Sequence, residues 1–179
     1  MKKVKIHDKE FEVYLHSEKI QQRLREIGKQ ISIDFKGEKI ILIGILNGSF
    51  LVMADLAREI DLELSCDFLK ISSYSGTETT GKVKPLIGLS TNIQGKSVII
   101  VEDIVDTGIS MKFLLNELEK HNPKQLAIAT LLYKKEAFRF NYPLDYVGFE
   151  IPNKFVVGYG LDYDGLGRNL PDVYQLCSN

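Results

Sequence analysis

Three short runs of nearly unbroken aliphatic residues limit the fold more than any other feature: IILIGIL (Ile40–Leu46), SVIIV (Ser97–Val101) and LAIATLL (Leu126–Leu132). A strand with one wetted face alternates apolar and polar positions, so runs like these read as strands covered on both faces, the pattern of a parallel sheet. Helical periods stand between them. Ile20, Leu24, Ile27 and Ile31 recur at alternating four and three, predicting an amphipathic helix from a Ser17 cap to about Asp34. FLVMADLAREI after Asn47-Gly48-Ser49 is a second helix, and MKFLLNELEK places Met111, Leu114, Leu115 and Leu118 on one face of a third. ELSCDFLKI (Glu63 to Ile71), PLIGLS, YVGFEI (Tyr146 to Ile151) and FVVGYGL (Phe155 to Leu161) read as further strands. Strands alternating with helices predict an α/β fold, a mainly parallel twisted sheet flanked by helices.

The 179 residues suit one such domain, 1–179, and neither an internal repeat nor a linker divides it. No apolar run approaches the roughly 20 residues needed to cross a bilayer, and the mixed charges of MKKVKIHDKEFEVYLH do not form a secretory signal. Cys66 and Cys177 are too few and too far apart for a disulfide framework, so a reducing cytoplasm is expected. A net charge of -1 gives no general attraction for nucleic acid or an anionic membrane, so an anionic ligand must be met locally.

SVIIVEDIVDTGIS, Ser97 to Ser110, is where that meeting is expected. In an open parallel sheet ligands bind beyond the carboxyl ends of the strands. There Thr107, Gly108, Ile109 and Ser110 turn into a helix, and backbone N–H groups, two hydroxyls and the helix dipole converge on a site for a phosphate monoester. Glu102 and Asp103 alone read as solvated acids at a strand end. Beside a phosphate cradle they call for ligand hydroxyls or a hard cation such as Mg²⁺ between them and the anion. Asp106 serves as a helix cap, as a proton acceptor, or as both. The polar stretch 72–84 is either disordered surface or a lid. No P-loop, dinucleotide fingerprint, nucleophile elbow or zinc-spaced histidine set occurs.

VEDIVDTGIS resembles the phosphoribosyl-diphosphate (PRPP) loop of the type I phosphoribosyltransferases. LNGSF, ISSYSGTET, LLYKK and VGFEIPNKFVVGYGLDY narrow the resemblance to the hypoxanthine-guanine phosphoribosyltransferases, along nearly the whole chain. It implies the family's fold with a small hood and a flexible lid over about 72–84, and transfer of a phosphoribosyl group from PRPP to a 6-oxopurine in purine salvage, with Mg²⁺. Glu102 and Asp103 then engage the ribose hydroxyls and a metal. Asp106 is the acid/base near N7, and Asp106, Thr107, Gly108, Ile109 and Ser110 hold the 5′-phosphate. Leu46, Asn47, Gly48 and Arg168 serve pyrophosphate, while Lys134, Phe155, Val156 and Asp162 recognise the purine, Asp162 also standing near a second metal. Ser73 and Tyr74 belong to the lid. Without the resemblance, Phe155 and Val156 read as strand core and Lys134 as an exposed strand end.

Asn47 departs from the Lys or Arg common at that position in the family, which removes a charged side chain from the loop. The family also implies a homodimer or homotetramer. Two rival expectations are a xanthine-preferring enzyme, since the three bases differ only at C2, and a regulatory relative binding nucleotide or RNA. The latter calls for a basic surface, and only scattered pairs such as Lys134-Lys135 occur.

Overall fold

The structure is a computed structural model describing residues 3–73 and 83–177. Among these, the elements run β1 (Lys3–Ile6), β2 (Lys9–Leu15), α1 (Ser17–Asp34), β3 (Ile40–Leu46), α2 (Phe50–Glu59), β4 (Leu64–Ser73) and β5 (Val83–Ile87). They continue with β6 (Ser97–Val105), α3 (Ile109–Glu119), β7 (Gln125–Tyr133), β8 (Tyr146–Glu150), β9 (Val156–Val157) and β10 (Val173–Leu176).

The larger sheet has the order β5-β4-β3-β6-β7-β8. Its five strands from β4 to β8 are parallel, and β5 pairs antiparallel with β4 at one edge. Pro85, which cannot donate to a ladder, lies in that edge strand. The chain leaves β3 outward for β4 and returns on the other side of β3 as β6, so the winding reverses between β3 and β6. This reversal is the switch point at which open α/β sheets bind ligands.

Pleating sends alternate residues of the central strands into two cores. Ile40, Leu42, Ile99 and Val101 face one, where α1 and α2 pack, while Ile41, Ile43, Val98 and Ile100 face the other, covered by α3. The expected apolar faces of α1 (Ile20, Leu24, Ile27, Ile31) and α3 (Met111, Leu114, Leu115, Leu118) are all buried. At the β8 edge the Arg23 guanidinium donates to the carbonyls of Val147 (2.8 Å) and Gly148 (3.1 Å), covering groups that would otherwise invite another strand.

Three expectations need correction. Ser17 does not cap α1: it is the first helical residue, and its N–H is accepted by Asp172 Oδ1 at 2.9 Å, a partner 155 residues away. The FVVGYGL strand shrinks to Val156–Val157, because Gly158, Tyr159 and Gly160 all take positive φ and end it. That short strand belongs to the second sheet, β1-β2-β10-β9, an antiparallel hood built partly from an N-terminal segment whose sequence suggested no strand. SVIIV continues as strand through Val105, so Glu102 and Asp103 lie within β6, before the turn. Of the stretch expected as a lid, β4 reaches Ser73 and β5 starts at Val83, while Tyr74 and the residues between lie outside the described ones.

Candidate active site

β3, β6 and β7 are neighbours and end at the same edge of the sheet. Beyond β6, Asp106 to Gly108 turn the chain into α3. Glu102, Ile104, Val105, Asp106, Thr107, Gly108, Ser110 and Met111 line a cavity of about 100 Å³ there, the scale of one phosphate group rather than a nucleotide. The first turn of α3 leaves N–H groups without intrahelical acceptors beside it, and the helix dipole adds positive character. Gly108 has φ 83°, and a Cβ on it would stand 2.6 Å from both Phe138 and the Tyr142 hydroxyl. Those aromatics belong to a brace that follows β7: Tyr142 Oη donates to Gly108 O (2.8 Å) and Arg139 N to Thr107 O (3.2 Å). Ile109, expected in the phosphate loop, does not line the cavity, and its side chain is 43% exposed.

The two acids expected to act together are separated by the pleat. Glu102 faces this cavity, and its Oε2 is buried with no hydrogen-bond partner among the described residues. Burial, with Asp103 next to it, holds its carboxyl well above the usual range. Asp103 lies under the β3–α2 turn, and a Cβ at Gly48 would come within 1.5 Å of its Oδ2. Burial pushes the Asp103 carboxyl up to about 6, opposed by the Ile104 N–H (2.8 Å) and by the Arg168 guanidinium.

Gly48 is the middle of a stack. Asp103 sits on one side of it, and on the other Gly160 approaches so closely that a Cβ there would meet Gly48 O at 2.0 Å. Arg168 closes the far side: Nη1 donates to Gly160 O (2.7 Å), and Nη2 pairs with Asp162 Oδ1 (2.6 Å). Gly165 N donates to the other Asp162 oxygen at 2.8 Å. The structure thus brings Gly48, Arg168, Asp162 and Asp103 into one constellation. Asn47 is exposed, and the Leu46–Asn47 peptide bond is cis.

Lys134 is not an exposed strand end. It is 7% exposed at the foot of β7 and donates to Asp106 Oδ2 at 2.7 Å. Two residues expected at different atoms of the base are therefore partners, and Lys134 retains two further N–H donors. Val156 is buried in the hood. Phe155 is 44% exposed and packs against Phe11 (ring centroids 6.2 Å apart) and Tyr163 (5.8 Å) at the hood's edge. No hydrogen bond or ring contact joins it to Lys134 or Asp106 among the described residues.

Sequence reasoning missed the brace of Phe138, Arg139 and Tyr142, and a buried pair, Tyr159 and Asp55. NYP after a lysine-rich turn is the only local signal for the brace. The pair joins residues 104 positions apart and has none.

As for a metal, Glu102, Asp103 and Asp162 do not form a compact ligand set. The one such group among the described residues is His16, Glu18 and Asp172, at the N-terminus of α1. Glu102 and Asp103 nevertheless suit a hard cation, because both are oxygen donors whose ionised forms are disfavoured by burial and would be favoured beside a positive charge.

An anion cradle at the switch point of a parallel sheet, faced by buried carboxylates, defines a protein that handles phosphorylated sugars. The phosphoribosyl transferase domain model matches residues 11–164. The hypoxanthine-guanine phosphoribosyltransferase of Dictyostelium discoideum is 43% identical over 170 residues, 92% of this chain and 94% of that protein. That of Aquifex aeolicus is 40% identical over 173 residues, 96% and 97% of the two chains. A crystal structure of a hypoxanthine-guanine phosphoribosyltransferase from Bacillus anthracis superposes with a TM-score of 0.87 at 43% identity, covering 93% of this chain and 97% of that one. A hypoxanthine phosphoribosyl transferase structure from Trypanosoma cruzi gives 0.89 at 35% identity, covering 97% and 95%. The chain belongs to the hypoxanthine-guanine phosphoribosyltransferase family of the phosphoribosyltransferases.

Proposed function

We infer that this enzyme transfers the 5-phosphoribosyl group of PRPP to a 6-oxopurine, hypoxanthine or guanine, giving the nucleoside 5′-monophosphate and pyrophosphate in purine salvage. The observation that carries the site assignment is the pairing of Lys134 with Asp106 at the lip of the phosphate cavity. It sets a base-reading donor and a proton acceptor within one bond of the group that anchors the sugar phosphate.

In this reading the N–H groups at the start of α3 and the hydroxyls of Thr107 and Ser110 hold the 5′-phosphate. Glu102 and Asp103 accept from the ribose hydroxyls and hold Mg²⁺, which when bound offsets the charge of the departing pyrophosphate. Lys134 keeps Asp106 on one N–H and donates another to the 6-oxo group. Adenine offers an amino group there, a second donor facing a donor, so it is rejected. Phe155 supplies an exposed ring face for the base, and the backbone at Val156 and Asp162 reads its edge. N9 attacks the anomeric carbon as its bond to pyrophosphate breaks, and the N7 proton passes to Asp106. Gly48 and Arg168 receive the pyrophosphate, with Ser73 and Tyr74 covering the reacting centre. The reading extends to a cytoplasmic enzyme assembled as a dimer or tetramer.

A spectrophotometric assay with hypoxanthine, guanine, xanthine and adenine, each with PRPP and Mg²⁺, tests it. Turnover is expected with the 6-oxopurines and not with adenine, and it should cease on chelation of the metal. Comparable turnover of adenine would overturn the role given to Lys134, and preference for xanthine would reassign the substrate.

A further inference from the structure

We infer that Tyr159, hydrogen-bonded to Asp55, is a positioning residue for the pyrophosphate end of the site. It is not among the residues expected to contact a ligand, and the VGYGLDY run that contains it assigns it no role of its own. Tyr159 is 4% exposed and takes φ 49° between Gly158 and Gly160, which take φ 94° and 98°. A left-handed conformation is disfavoured for a bulky L-residue, so surrounding contacts must hold it. Two do: Tyr159 N donates to Leu170 O (2.8 Å), and the phenol donates to Asp55 Oδ2. Gln21 of α1 donates to the same phenol oxygen (3.0 Å) and to the same carboxylate oxygen, while Arg58 pairs with the other oxygen of Asp55. Burial and the Asp55 carboxylate raise the phenol pKa, so it stays a donor at any working pH.

The importance of the link lies in what its two ends carry. Asp55 is in α2, the helix entered directly from Leu46, Asn47 and Gly48, with Ser49 as its N-cap. Tyr159 is next to Gly160, whose backbone rests on Gly48 O and whose own carbonyl accepts from Arg168, the partner of Asp162. Both walls of the pyrophosphate site are therefore referred to one helix, the loop through the chain and the Arg168 wall through the phenol. Without the hydroxyl, the Gly158–Leu161 turn is free to shift relative to α2, and Arg168 loses its register with Gly48. The 5′-phosphate cavity and Lys134 stand on β6, α3 and β7 and do not depend on this link.

The inference rests on reading the Gly48 and Arg168 constellation as the pyrophosphate site. Wild-type turnover in the base panel tests that reading separately. The experiment is steady-state kinetics of Tyr159→Phe, Asp55→Asn and Asp55→Ala in both directions, with melting curves alongside. Tyr159→Phe and Asp55→Ala should each raise KM for PRPP and for pyrophosphate about 5- to 30-fold while leaving KM for hypoxanthine and for the nucleotide within about twofold. Asp55→Asn keeps an oxygen acceptor for the phenol and should stay within about threefold of wild type. Unchanged KM for pyrophosphate in Tyr159→Phe and Asp55→Ala would overturn the inference. So would a parallel rise in all four KM values with a lowered Tm, the mark of general loosening.

Discussion

Two turns stand side by side at the switch point, and both join a parallel strand to a helix. The β6–α3 turn, Asp106 to Gly108, leaves an open cavity of about 100 Å³ and is braced from outside by aromatic side chains. The β3–α2 turn, Asn47 to Ser49, is packed shut: Gly48 is wedged between the Asp103 carboxylate and the Gly160 backbone, and the fully buried Ser49 hydroxyl has no partner among the described residues. A turn from strand to helix can thus be built by leaving room, or by compressing the backbone until only glycine fits. The second way ties the turn to distant parts of the chain.

The sharpest way to break this comparison is to add one methyl group to each turn. In Gly48→Ala the Cβ displaces the Asp103 carboxylate from its bond with Ile104 N. It should cost about 2–3 kcal/mol of stability and at least about 100-fold in kcat/KM for PRPP. Gly108→Ala meets the side-chain edges of Phe138 and Tyr142 and a left-handed φ, and about 1–2 kcal/mol is expected. Chemical unfolding and PRPP kinetics measure both, and a greater loss in Gly108→Ala would reverse the ranking.

The next test concerns the charge beneath the packed turn. Asp103 is raised from 3.8 to about 6, so its ionised form opposes folding. That cost is absent below the unfolded value, grows as pH rises through about 6 and is complete above it. Asp103→Asn should therefore be more stable than wild type at pH 7.5 in chelator-treated buffer, by at most about 3 kcal/mol. The advantage should vanish near pH 4, while turnover with PRPP falls. Equal stability of the two proteins at pH 7.5 would show that the carboxylate is solvated.

The smallest effect is expected at Ser49. Ser49→Ala removes the unpaired hydroxyl and should gain up to about 1 kcal/mol in urea unfolding at unchanged m-value. A loss would mean that the hydroxyl has a partner within the packed turn.

The same contrast explains what the sequence made legible. Local composition dictated the open turn: an apolar run, acids, then Thr107-Gly108-Ile109-Ser110 is a strand feeding an anion-binding helix start, and the structure has it. The central strands and the apolar stripes of α1 and α3 were legible for the same reason, since burial imposes its period on neighbouring residues. The packed turn was not, because its shape is set by Asp103, Gly160 and the Tyr159–Asp55 bond, which reach it only through the fold. The hood, expected only from the family resemblance, left no pattern of its own for a related cause. Its strands are short, β1 at its edge is half exposed, and KVKI and KEFEVYL carry too much charge to read as core. The pairing of Lys134 with Asp106 joins the ends of two strands that are adjacent only in the sheet, although the family resemblance had singled out both residues.

The hood also imposes an order of events on the chain. β2 is held between β1 and β10, and its pairing with β10 brings Phe11 opposite Leu176. Closing so long a loop carries a high entropic cost, and the pairing must wait until the far segment has been synthesised. The six strands of the larger sheet are all synthesised by Glu150, although Ile151, Val156, Tyr159 and Leu161 complete the core on its α1–α2 face. As the polypeptide emerges, the residues of the β6–α3 cavity and the Lys134–Asp106 pair are therefore all synthesised before β10 can anchor the segment that carries Asp162 and Arg168.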